Sequence, residues 1–168
     1  MPMDDLLNRL MTCLHRQYDL YRELLEQFAR ERQAVLKSDL VGLQEVIGIK
    51  ERLLLDIRRV ELERHGILED LGQILAMDCE TLTLSRLAQV SDEPFASRLA
   101  QFGPEFQGLV QTIQEESSRN RSLCLQALQF VNGSIKLLSS LVSAGPVYRR
   151  TGKVRMEGQV GRMLSGAV

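Results

Sequence analysis

The run MDDLLNRLMTCLHRQYDLYRELLEQFARERQAVL, residues 3–36, decides the fold. Its apolar side chains return every seven positions, at Leu7, Leu14, Tyr21, Phe28 and Val35, while Met3, Leu10 and Leu24 fill the half-step. A period near 3.5 belongs to one face of a helix and not to a strand. At 1.5 Å per residue the helix is roughly 50 Å long. One apolar face of that length needs partners of similar length, and the chain has to supply them.

The next stretch does so. Ser38-Asp39 offers an N-cap, and Leu40, Leu43, Val46, Ile47, Leu53, Leu54, Ile57, Val60, Ile67, Leu68 and Leu71 mark one face of a second long helix. So short a junction forces either an antiparallel hairpin or one nearly continuous kinked rod, and the cap residues favour the hairpin. From Gly72 to Asp92 the periodicity weakens. Thr81-Leu82-Thr83-Leu84 alternates like a strand but has no second run to pair with, and Ser85-Arg86-Leu87-Ala88 restores a helical reading. This predicts a short helix in a crossover. Ser91-Asp92-Glu93-Pro94 reads as a helix start, with acids at the positive end of the dipole. Leu99, Phe102, Phe106, Leu109, Ile113, Leu123, Ala127, Phe130, Leu137 and Leu141 then keep helical spacing. Gly103-Pro104 predicts a kink or restart, because the proline ring removes one hydrogen bond and crowds the preceding turn.

Gly145-Pro146 stops the pattern. The last 24 residues hold five of the twelve glycines, and Arg149, Arg150, Lys153, Arg155 and Arg162 outnumber a single Glu157. The reading is an all-α fold: an antiparallel bundle of three long helices with a short crossover helix over residues 1–144, then a flexible basic C-terminal tail over 145–168.

Composition agrees. With 168 residues, 44% hydrophobic and 5% aromatic, no Trp and four Pro, the chain suits one helical domain and leaves little material for a sheet. Its 21 basic residues nearly cancel 22 acidic ones, so it lacks the positive field that a nucleic-acid partner needs. Cys13, Cys79 and Cys124 are an odd number with no CxxC pair, which argues for free thiols in a reducing compartment. The acidic start and the lack of a long unbroken apolar run predict a cytoplasmic protein without membrane insertion.

Catalytic constellations are missing from the sequence. The chain has two histidines, His15 and His65, and Leu62 stands where a di-iron motif requires Glu three residues before His65. Both histidines read as surface or interface residues. No Gly-rich phosphate loop or GxSxG elbow appears, and no cofactor or metal is expected. The sets Glu23-Glu26-Arg30 and Glu51-Arg58-Glu61 read as solvated faces. The chain is expected not to be an enzyme.

Residues 122–148 carry one charged side chain, Lys136. Leu123, Leu128, Phe130, Val131, Ile135, Leu138, Leu141 and Val142, with Cys124, Leu125 and Leu137 between them, spread round more than one face of a helix. Soluble helices normally carry charge outward. Either this helix lies centrally and is wrapped by the others, or part of it stays open as a groove for a partner's amphipathic helix. Gln126, Gln129, Asn132 and Lys136 argue against a membrane span. Asn120 occupies a seam position in register with Ile113 and Ala127, where a polar group either fixes register or sits solvated at a frayed end. Tyr148 is the last aromatic of the chain and falls in the basic tail, which is either a docking anchor or a solubilising terminus.

In the order and spacing of these segments the chain resembles the FlgN family of flagellar export chaperones. The likeness rests on the long first helix, Lys37-Ser38-Asp39-Leu40, Ile49-Lys50-Glu51-Arg52-Leu53-Leu54, Asn120-Arg121-Ser122-Leu123 running into an apolar helix, and Tyr148-x-x-x-Gly152-Lys153. Ser117 departs from the family, which often has a second Asn there. The resemblance implies a cytoplasmic type III export chaperone, acting as a monomer or weak dimer. It would bind the helical termini of hook-associated (hook-filament junction) proteins before flagellar secretion and deliver them to the export gate. By the same analogy the helix from Leu123 to Val142 would bind the client, and Tyr148 would dock on the export gate's cytoplasmic domain. The competing expectation is a structural coiled-coil protein that self-associates through the same C-terminal helix.

Overall fold

In a computed structural model, which describes residues 2–143, the chain forms α1 (Pro2–Lys37), α2 (Leu40–Leu75), a 3-10 turn (Cys79–Thr81), α3 (Leu84–Val90) and α4 (Phe95–Ser143). The described residues contain no strand. The expected tail, with Tyr148, lies outside them. The structure divides into two compact units, residues 1–123 and 124–168, which share α4.

The α1–α2 hairpin closes over two residues. Ser38 takes a left-handed backbone (φ 55°), and Asp39 caps α2 by accepting a hydrogen bond from the Gly42 amide at 2.9 Å. That cap satisfies one of the orphan donors at a helix start. The other end of α2 closes just as locally. Ala76 is left-handed (φ 51°), and the Met77 amide donates to the Gly72 carbonyl at 2.9 Å. A Cβ on Gly72 would lie 2.8 Å from the Met77 carbonyl oxygen, so the chain can turn back there only over glycine.

Contacts along the hairpin fix its direction. Near one end Cys13 meets Val60 and Tyr21 meets Glu61, and toward the turn Glu31 meets Lys50, so from end to turn positions on α2 fall as those on α1 rise. The helices are antiparallel, and the seven-residue repeat is their seam: Leu7, Leu10 and Leu14 are each no more than 1% exposed. α4 runs the other way relative to α2. Phe102 lies against His15 and Tyr18, Phe106 stacks on Tyr21 at 5.4 Å, and Asn120 bonds to Phe28, so its numbers rise with those of α1. Up to Asn120 the three long helices therefore run up, down and up.

The main core sits where α1 begins and α2 ends. Leu7, Leu10, Leu14, Val60, Ile67 and Leu71 are closed over by Leu82, Leu87, Phe95, Leu99 and Phe102. A second cluster of Leu24, Phe28, Leu53 and Ile57, with Ile113 against it, lies nearer the hairpin turn. Thr81 to Leu84 is a turn and a cap, not a strand. The Thr83 hydroxyl accepts from the Arg86 amide at 3.2 Å and starts α3. Gly103-Pro104 does not restart the helix, and Pro104 lies within continuous α4. On α2, Leu40, Ile47 and Leu54 depart from the expected core face and are exposed.

Candidate functional site

The unit that begins at Cys124 contains, among its described residues, a stretch of one helix. At 100° per residue its large apolar side chains, Leu125 apart, cover about half of the circumference, and Leu125 falls among Gln129, Asn132, Lys136 and Ser140 on the other side. Leu128, Val131, Ile135, Leu138 and Leu141 are exposed, Phe130 is 77% exposed and Val142 83%. Leu123, the last residue of the first unit, is half-buried. The eight candidate client-binding residues thus fall on one helix, seven of them open.

The register of this face is inherited. Ile113, Asn120, Ala127, Ser134 and Leu141 follow one another at seven-residue steps. Upstream, that face of α4 is the one turned to α1, with Ile113 packed on the second cluster and Asn120 buried. Downstream, Ala127 and Ser134 are half-buried and Leu141 is exposed. α4 has 49 residues against 36 in each arm of the hairpin.

The small polar residues of the stretch turn inward on their own backbone. The hydroxyls of Ser134, Ser139 and Ser140 donate to the carbonyls of Phe130, Ile135 and Leu137 at 3.0, 2.9 and 2.7 Å. Such bonds lessen the polarity these serines present to a docking partner. A Cβ on Gly133 would meet nothing within 4 Å, so no close approach requires glycine there, and it leaves the helix locally weak.

Immediately upstream is a polar knot that joins all three long helices. Asn120, 3% exposed, donates from Nδ2 to the Phe28 carbonyl at 2.7 Å and to Glu31 Oε2 at 2.8 Å. Lys50 Nζ donates to both oxygens of Glu31 at 2.8 and 2.9 Å and lies 4.5 Å above the Phe28 ring. Arg32 pairs with Glu116 one turn away, and Glu116 also accepts from Arg119 at 2.7 Å. Asn120 is therefore a buried register residue and not a solvated one.

Of this knot, sequence reasoning had found Asn120 and missed Glu31 and Lys50. It also missed Glu61, read as solvated, which accepts from Tyr21 Oη at 3.1 Å and Gln17 Nε2 at 3.4 Å. Burial, helped by the Glu61 charge, pushes the Tyr21 phenol up from its ordinary value, and burial does the same to the Cys13 thiol.

His15 is exposed, with its ring edge on Phe102, and His65 sits by Glu69 on the surface. Among the described residues no group of three His, Cys, Asp or Glu could hold a metal ion, and no helix is long and apolar enough to cross a membrane.

The features define an all-helical bundle whose longest helix carries an open apolar face. The FlgN family model, described as FlgN protein, matches residues 1–155. The chain belongs to the FlgN family, and with it comes a role as a flagellar export chaperone that binds flagellar proteins. No curated protein and no solved structure matches it.

Proposed function

We propose that the chain is a cytoplasmic chaperone for hook-filament junction proteins, that it holds their helical termini on the apolar face of α4, and that it hands them to the export gate. One observation carries this reading: the stretch of α4 from Leu125 to Val142 is apolar and exposed, with Lys136 as its one charged residue. A contiguous exposed apolar face of this size is a docking surface. An amphipathic client helix laid along it supplies the missing second face. Leu123, Leu128, Phe130, Val131, Ile135, Leu138, Leu141 and Val142 are the contact residues in this account. Tyr148 is the proposed anchor on the export gate's cytoplasmic domain.

The energetics suit a carrier. Covering roughly 600 Å² of apolar surface at ~25 cal/mol per Å² yields on the order of 15 kcal/mol gross, most of it offset by ordering two helices in one complex. The net affinity is then micromolar to nanomolar, tight enough to hold a client and weak enough to release it.

Phe130→Asp and Leu138→Asp test the site, since both side chains are exposed and neither belongs to the core. Each should abolish capture of a junction-protein terminal peptide while the circular dichroism spectrum stays helical. Capture at wild-type affinity by both variants would refute it. Tyr148→Ala should leave client capture intact and weaken binding to the purified cytoplasmic domain of the export gate.

A further inference from the structure

The outward face of α2 carries a second apolar stripe, on the unit made of residues 1–123 and independent of the client-binding reading. Ile47, Leu54, Leu55 and Leu62 are 42%, 52%, 65% and 67% exposed. They lie opposite the buried face of α2, which is built from Leu53, Ile57, Val60 and Leu71. Glu51 and Arg58 share the outward face. At 100° per residue all six positions fall within about 100° of arc.

The order of the six is a palindrome. Reading from Ile47, the steps are 4, 3, 1, 3 and 4 residues, to Glu51, Leu54, Leu55, Arg58 and Leu62. Reversal about the midpoint between Leu54 and Leu55 exchanges aliphatic for aliphatic and acid for base. A two-fold axis through that midpoint, perpendicular to α2, therefore sets Ile47 against Leu62 of a second copy, Leu54 against Leu55, and Glu51 against Arg58. Each pair occurs twice, as an isologous interface requires. The next positions outward, Gln44 and His65, are both polar and would form its rim.

Within one copy these two charges are unanswered. Glu51 and Arg58 are both exposed, and seven residues place them about 10 Å apart along the helix. Among the described residues neither has an ion pair or side-chain hydrogen bond, whereas neighbouring Arg59 pairs with Asp56 and Arg52 bonds to the Gly48 carbonyl.

We infer that this face of α2 is the contact of an antiparallel homodimer, centred between Leu54 and Leu55 and set in register by two reciprocal Glu51–Arg58 pairs. Four aliphatic side chains per copy with their polar rim remove on the order of 1,000 Å² in total, the lower end of a specific interface. The dimer is accordingly weak and forms at micromolar concentrations.

The test is sedimentation of the full chain over a range of concentrations. Leu55→Asp should remove the dimer, with the circular dichroism spectrum unchanged. Glu51→Arg alone and Arg58→Glu alone each set like charges against one another and should weaken it by about tenfold. An equimolar mixture of these two single variants should recover the dimer, because every Arg then meets a Glu. The double variant E51R/R58E should recover it alone. Absence of a dimer at all concentrations, failure of both recoveries, or a dimer lost with Leu138→Asp and kept with Leu55→Asp would overturn the assignment.

Discussion

Asn120 shows how much one polar side chain does in this fold. It replaces an apolar seam residue, yet its amide group ties α4 to the backbone of α1 and to Glu31, which Lys50 of α2 already holds. Asn120→Ala removes one donor from Glu31, which keeps only Lys50, and one from the Phe28 carbonyl in a half-dry site, and should cost about 1–3 kcal/mol in urea denaturation. Tyr21 and Cys13 give the fold an alkaline limit. Their pKa values in the folded protein lie above the ordinary 10.0 and 9.0, so the protonated forms are favoured by folding. Their contribution to stability is whole below those ordinary values and is lost as pH rises through the folded ones. Melting temperature should therefore fall as pH rises above those ordinary values, and Tyr21→Phe should flatten the upper part of that fall. Asn120 was legible as a break in a heptad pattern. Glu31, Lys50 and Glu61 were not, because an acid or base at helix-pair spacing looks solvated until interhelical register places a partner beside it.

Helix ends and helix faces differ in how openly a sequence declares them. The hairpin turn is local chemistry, so Ser38-Asp39 announced it correctly, and the same chemistry makes it testable. Ser38→Gly removes the penalty of a left-handed residue with a side chain and should stabilise the hairpin by about 1 kcal/mol, while Asp39→Ala should cost about that much. Both are read from denaturation midpoints. The outward positions of Leu40, Ile47 and Leu54 were not foreseeable from periodicity. An aliphatic residue has the same period on either side of a helix, and the buried side of α2 is decided by where α1 docks. Pro104 did not break α4. The distal part of α4 has a different weakness in Gly133, and Gly133→Ala should raise its local stability by roughly 0.5–1 kcal/mol, seen as slower amide exchange over residues 129–137.

The course of the long helices followed from seam periodicity, one two-residue turn and a crossover holding a short helix, so the helical elements were legible in the sequence. The functional surface was only half legible. An uncharged helix reads alike in sequence whether it is wrapped or open. Here the apolar stripe of Leu128, Val131, Ile135, Leu138 and Val142 is exposed. A client helix on that stripe makes the sharpest measurable demand on the account. Amide hydrogen exchange of the full chain, with and without a peptide spanning the helical terminus of a junction protein, reports where the peptide lies. Strong new protection confined to residues 125–142, with α1 and α2 unchanged, is the predicted result. Protection confined to α1 and α2, with exchange over 125–142 unaltered by saturating peptide, would contradict it.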